Sequence, residues 1–159
     1  MRQRFLLIAI MSALFVAVTG ANAKGPPVVN EIVHFVNEPF GGIGPNCATG
    51  NLAESDGAFS GVIHTLVKVD GSFHVSSHTR GTDTLDDLPA DGIPDATTTF
   101  RFNSVDSVLS SGKEVHHFTG NGTLTLTATG ARVRFHVVTQ LVIDENGDAK
   151  VDFVRITCE

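Results

Sequence analysis

The stretch Glu114–Ile143, EVHHFTGNGTLTLTATGARVRFHVVTQLVI, contains two runs in which apolar and polar residues alternate. A period of two is typical of a β-strand with one buried face. In the first run this face carries His116, Phe118, Gly120, Gly122, Leu124, Leu126 and Ala128. In the second run it carries Val133, Phe135, Val137, Thr139, Leu141 and Ile143. The stretch therefore predicts a β-hairpin whose two apolar rows share one face.

A two-residue turn at Thr129-Gly130 predicts the register of this hairpin. It places Leu126 opposite Val133 and Leu124 opposite Phe135. A slip of one residue would move one apolar row to the other face, so the apolar pattern specifies the register well.

Other runs rich in β-branched and aromatic residues predict the remaining strands. These runs are residues 28–37, 59–69, 73–80, 96–102 and a closing run, 149–158, whose mixed phase predicts a bulge. Residues 39–57, 81–95 and 103–112 are rich in turn-forming or polar residues and are predicted to be connections.

Seven or eight strands joined mostly by short turns, with no helix, predict an all-β antiparallel meander. We expect the sheet to close as a barrel because closure hides its edge strands, and a β-sandwich is the alternative. Gly120 and Gly122 fall on the buried face of the longest strand, where glycines suit a sharp bend.

The N-terminal residues 1–23 have the features of a signal peptide. Arg2 and Arg4 precede an apolar run, and the small residues of Ala21-Asn22-Ala23 follow it. The alternative, a membrane anchor, requires about 20 apolar residues, more than this run contains. We therefore expect a secreted or periplasmic protein without membrane insertion after cleavage, with residues 24–159 forming a single domain.

Composition excludes some classes of partner. Residues 24–159, which exclude Arg2 and Arg4, contain nine Lys and Arg and seventeen Asp and Glu, which gives a net charge of −8. Such a surface repels phosphate backbones, so we expect no nucleic-acid partner. The chain also lacks Trp and Tyr, the usual stacking platforms for sugars, which counts against a lectin.

The chain contains two cysteines, Cys47 and Cys158. An even number of cysteines in an exported protein predicts a disulfide, and two free thiols are the alternative.

Several of these features together resemble a family of small secreted barrel proteins. They are the export signal, an early and a terminal cysteine, the segments Gly120–Thr125 (GNGTLT) and Val133–Val142 (VRFHVVTQLV), and the turn Asp144–Asp148 (DENGD). The general shape of that family is similar to lipocalins and to the allene oxide cyclase and dirigent barrels. The resemblance implies a barrel but transfers no functional residue, since it includes no catalytic motif.

The acidic segment 81–95 partly matches a calcium-binding loop. Asp87, Asp91, Gly92 and Asp95 match part of the pattern DxDxDGxxD, in which carboxylates surround a calcium ion, but Pro89 occupies the place of the middle aspartate. Calcium binding is thus one hypothesis and a solvated acidic loop is the other. We expect no other cofactor.

No GxSxG, HExxH or phosphate-binding glycine motif occurs, and we assign no catalytic residue. The inward-facing residues His116, Phe118, Leu124 and Phe135 are the candidates for contact with a small apolar ligand. His116 has two alternatives, a satisfied core position or a position at the barrel mouth.

Two functions remain open. The first is a non-catalytic exported barrel that binds a small apolar ligand or acts structurally outside the cell. The second is a cofactor-free isomerase or cyclase, with His116 polarising the substrate.

Overall fold

Residues 29–159 are described by a computed structural model, in which they form seven β-strands and no helix. The strands are β1 (Val29–Pro45), β2 (Leu52–Val67), β3 (Phe73–Asp87), β4 (Ala96–Val108), β5 (Glu114–Leu126), β6 (Arg132–Ile143) and β7 (Ala149–Cys158). They form one antiparallel sheet in sequence order, which confirms the predicted meander. The predicted signal peptide lies outside the described residues.

Among residues 29–159, no helix has the length and apolar composition needed to cross a membrane.

The sheet has two unlike faces. We call "inner face" the one that carries Ala53, Leu85, Ala96, Phe100 and Leu124, whose side chains are all buried. The opposite "outer face" carries mainly threonine, asparagine, histidine and arginine on its central strands. This segregation follows from the period-two pattern of the sequence.

The predicted closure into a barrel is wrong. Within residues 29–159, β1 and β7 each pair with one neighbour only, so the described sheet has two free edges. Pro39 and Pro45 remove two amide donors from β1, and a bulge between Phe35 and Glu38 interrupts it. Prolines and bulges are typical of edge strands because they prevent continuous pairing. The open sheet fits the alternative to a barrel.

The open sheet is nevertheless rolled, so that its first and last strands approach at one end. Cys47, between β1 and β2, is bonded to Cys158 on β7, with 5.7 Å between the Cα atoms. Phe40 on β1 contacts Phe100 on β4 although these strands do not pair, and their ring centroids are 5.6 Å apart. We call this end of the sheet the "disulfide end" and the opposite end the "far end".

The predicted hairpin exists, but its register differs by two residues. Leu124 pairs with Val133 and not with Phe135. The predicted two-residue turn at Thr129-Gly130 is wrong, because residues 127–131 form a longer connection. A shift of two keeps every side chain on its face. The prediction that both apolar rows share one face is therefore confirmed.

The segments predicted as connections are partly strand. β1 continues to Pro45 and β2 begins at Leu52, so most of residues 39–57 are paired. Likewise β3 extends through 81–87 and β4 through 103–108. Turn-forming residues in these segments therefore lie within strands without ending them. Just before the first segment, Asn37 has a φ of 57° at the bulge of β1.

The bulge predicted in the closing strand lies at the start of β7, where Val142 pairs with Val151 and Ile143 with Ala149, which leaves Lys150 between them. It does not fall between Phe153 and Val154, where the apolar phase of the sequence changes. Beyond it, Val151 and Phe153 lie on the outer face. Val154 and Ile156 lie on the inner face, so this edge strand is apolar on both sides.

Candidate functional site

Phenylalanine rings cover the middle of the inner face. Consecutive rings have centroids 4.5 to 5.7 Å apart. We call this set the phenylalanine stripe; it consists of Phe35, Phe40, Phe59, Phe100, Phe102 and Phe118. The stripe crosses from β1 to β5 and gives the inner face a continuous aromatic floor.

Glycines on neighbouring strands make room for these rings. Phe35 pairs with Gly61 and Phe102 pairs with Gly120. A Cβ at Gly120 would overlap the ring of Phe102, and a Cβ at Gly61 would collide with the backbone carbonyl of His78. Only glycine allows such a close approach of strand and ring, so the bend and the stripe depend on each other.

The inner face is open to solvent along both free edges. Val33 on β1 is 46% exposed, and on β7 Val154 and Ile156 are 63% and 42% exposed. The register places all three on the inner face. Exposed apolar side chains that continue an apolar surface are typical of a binding site.

Two polar atoms without partners lie on the inner wall. Asp83 on β3 pairs with Thr98 on β4, and both side chains point to the inner face. Among residues 29–159, Asp83 Oδ1 and Thr98 Oγ1 are buried and have no hydrogen-bond partner. An unsatisfied buried polar atom costs about 1–3 kcal/mol, so this pair is suited to bind a polar group supplied by a ligand.

The carboxyl group of Asp83 has an unusual affinity for its proton. Burial raises its pKa from the ordinary 3.8 to about 6, although hydrogen bonds from the Asp56 backbone and the Ser55 hydroxyl oppose the change. At neutral pH the carboxyl is mostly ionised, although burial disfavours its charged form. Below pH 6 it is mostly protonated and can itself donate a hydrogen bond.

Asp83→Asn should therefore stabilise the protein at pH 7.5 and have little effect at pH 4. The pKa of the Asp83 carboxyl is higher in the folded than in the unfolded protein. Its contribution to the free energy of unfolding is therefore complete below pH 4 and is lost as pH rises through about 6. After discounting for the half-exposed carboxyl, we expect a gain of roughly 1 kcal/mol at pH 7.5, measured by urea unfolding. The exposed Glu54→Gln is the control. An equal change at both pH values would contradict the prediction.

His116 lies on the inner face near the far end. Its Nδ1 is 2.8 Å from Asp106 Oδ1 and its Nε2 is 3.1 Å from Glu114 Oε2. Burial lowers the pKa of the imidazole, but the hydrogen bonds to these two carboxylates outweigh it and raise the pKa. Both ring nitrogens are thus occupied, and contact of His116 with a ligand stays a prediction.

The three apolar candidates also lie on the inner face. Phe118 ends the phenylalanine stripe, 5.1 Å from Phe102 between centroids. Leu124 is 3% exposed and belongs to the core, and Phe135 packs against that core at the disulfide end. Phe118 therefore borders the part of the inner face that is open to solvent, whereas the side chain of Leu124 is enclosed by protein. Contact of these residues with a ligand stays a prediction.

The predicted disulfide between Cys47 and Cys158 is present. Asn46, which is fully buried, fixes the connection that carries Cys47. The Asn46 Nδ2 donates to Asp87 Oδ1 at 2.7 Å, and the amide of Ala48 donates to Asn46 Oδ1 at 3.0 Å. A disulfide is typical of oxidising compartments, which agrees with a location outside the cytoplasm.

The aspartates of the predicted calcium loop bind protein groups instead of converging on one point. Asn46 and Asn51 donate to Asp87, Asp95 accepts from the amide of Asp87, and Asp91 accepts from its own loop. Burial raises the pKa of Asp87, but its side-chain hydrogen bonds outweigh that effect and lower it. No group of three or more metal-binding side chains occurs among residues 29–159. Calcium binding by Asp87, Asp91 and Asp95 stays a prediction.

The sequence does not point to the pair of Asp83 and Thr98, because residues 81–95, which contain Asp83, have the composition of a loop. The one signal that β3 continues past Asp83 is Leu85, which falls in the same period-two phase as Phe73 and Val75.

No family model, curated protein or solved structure matches the chain.

Proposed function

We propose that this protein is a non-catalytic exported binding protein that holds a small apolar ligand against the inner face of its sheet. The observation that carries the proposal is the apolar inner lining, which stays exposed at Val33, Val154 and Ile156 along the free edges. A monomeric protein gains by covering such a surface.

A ligand that fits the inner face has an apolar body and one polar end. Its body packs on the phenylalanine stripe. Its polar end, a hydroxyl or an amine, reaches the unpartnered Oδ1 of Asp83 and Oγ1 of Thr98. A few placed polar groups in an apolar lining are the usual composition of a small-molecule site.

The alternative of a cofactor-free isomerase or cyclase has one observation in its favour. A carboxyl with a pKa of about 6 in an apolar wall, as at Asp83, is suited to transfer protons near neutral pH. In that case Asp83, and not His116, is the group that acts on the substrate.

Val154→Asp should weaken the binding of a neutral fluorescent probe such as N-phenyl-1-naphthylamine by about tenfold or more. The substitution places a charge in the apolar lining, where its desolvation opposes binding, and a tenfold loss corresponds to about 1.4 kcal/mol. Val154 is 63% exposed, so the fold should tolerate the change. A fluorescence titration measures the dissociation constant.

The matched control is Val151→Asp, on the same strand but on the outer face. We expect this variant to bind the probe within twofold of the unchanged protein. Equal losses in the two variants, or no probe binding by either form, would contradict the proposal. Native mass spectrometry of protein purified from its source then identifies the natural ligand by mass.

A further inference from the structure

The basic residues of this acidic protein are concentrated on one surface. All arginines of the described residues lie on the outer face, on β3, β4, β6 and β7; they are Arg80, Arg101, Arg132, Arg134 and Arg155. The outer face of β4 to β7 carries no Asp or Glu within the strands, although the chain contains seventeen of them. The remaining surface is correspondingly acidic.

Arg80 and Arg101 are direct cross-strand partners. Like charges in this position destabilise a sheet. No arginine in residues 29–159 has a carboxylate oxygen within 4.0 Å, so this repulsion is not relieved by a salt bridge. The residues before 29 contain no Asp or Glu that could supply one. An anion from outside the chain would relieve the repulsion.

Three of the five arginines border shallow depressions of the outer face. One depression, of about 550 Å³, is bordered by Arg101, Asn121, Arg134 and His136. A second, of about 460 Å³, is bordered by Arg80, Arg101 and Asn121. Arg101 and Asn121 border both depressions, which lie side by side over β3 to β6 and are together called the groove. The one acidic residue at its border is Glu159.

We infer that this groove binds a compact ligand that carries two or more sulfate or phosphate groups. Neighbouring strands are about 4.8 Å apart, so Arg80 and Arg101 fit adjacent oxyanions. Arg134 lies two strands across from Arg101 and two residues along, so it fits an oxyanion about 12 Å away. Arginine is the side chain best suited to such groups, because its planar fork donates two parallel hydrogen bonds. Asn121 and the neighbouring threonines add neutral hydrogen-bonding groups.

The rest of the surface limits the size of the ligand. The chain has a formal net charge of −6, so a long polyanion such as nucleic acid would be repelled beyond the groove. The aromatic rings among the outer-face residues that border the groove are the imidazoles of His78 and His136, so the groove offers few platforms for base stacking. A compact polyanion avoids both problems.

Arg101→Ala should weaken the binding of inositol hexakisphosphate or sucrose octasulfate by about tenfold or more, since it removes a charge-assisted bidentate contact. Isothermal titration calorimetry on the full-length exported protein at low salt measures both ligands. Arg101→Lys should recover part of the affinity because it restores the charge but not the fork. The ligand that binds more tightly distinguishes a phosphate source from a sulfate source.

The control is Lys113→Ala, which removes the same charge from the turn between β4 and β5. We expect this variant to bind within twofold of the unchanged protein, and uncharged sucrose not to bind. The inference is overturned if neither polyanion binds at millimolar concentration, if Lys113→Ala loses as much as Arg101→Ala, or if a single-stranded oligonucleotide binds more tightly than both. Arg101→Ala should leave binding of the neutral probe to the inner face unchanged.

Discussion

Removing the disulfide, by the double substitution Cys47→Ser and Cys158→Ser, should lower the free energy of unfolding by about 4 kcal/mol. The bond joins residues 111 positions apart, so its loss frees a long loop in the unfolded chain. It also removes the covalent link between the β1–β2 connection and β7, which do not pair through hydrogen bonds. For a domain of this size we expect the melting temperature to fall by roughly 15 °C, measured by circular dichroism.

A reducing agent provides the control for this experiment. It should lower the melting temperature of the unchanged protein to near that of the double variant, and it should not affect the variant itself. Alkylation adds the chemical test, because the unchanged protein should take up the reagent only after reduction. A melting temperature within 2 °C of the original after complete reduction would contradict the prediction.

Phe100→Ala should cost about 3–5 kcal/mol, the usual loss for a buried aromatic ring. Phe100 is 6% exposed and stacks on Phe102 with centroids 4.5 Å apart. It also contacts Phe40 on β1 and covers Gly81 on β3. The surrounding strands are held in place by pairing, so they cannot collapse into the space that the ring leaves.

The matched control is Phe153→Ala, on the outer face of β7, where the ring is 42% exposed. We expect a loss within about 1 kcal/mol, because little packing is removed. Chemical denaturation of both variants gives the two free energies. Similar costs at Phe100 and Phe153 would mean that the phenylalanine stripe does not hold the sheet together.

The faces of the strands could be predicted from the sequence because they depend only on a local period of two. Leu124 and Phe135 were placed on the inner side correctly, although the register was off by two residues. The error came from the turn, since the chain around Thr129-Gly130 takes a five-residue connection. The period of the pattern does not distinguish registers that differ by two.

The period-two pattern could not predict whether the sheet closes or that Asp83 pairs with Thr98. Whether β1 pairs with β7 depends on the bend at Asn37 and on Pro39, whose effects are not visible in the apolar pattern. The partnership of Asp83 and Thr98 depends on the pairing of β3 with β4 in a segment with the composition of a loop. The groove at Arg101 requires the register of four strands at once.

The strand order has a consequence for how the protein is assembled. Every strand pairs with the strand before or after it, so each hairpin can form as soon as its own residues are available. The disulfide is different, because Cys47 must wait for Cys158 on the last strand. The chain holds only these two cysteines, so no wrong intramolecular pairing competes with the native one. Oxidation should therefore be the final step of maturation, needing an oxidant but no disulfide isomerase.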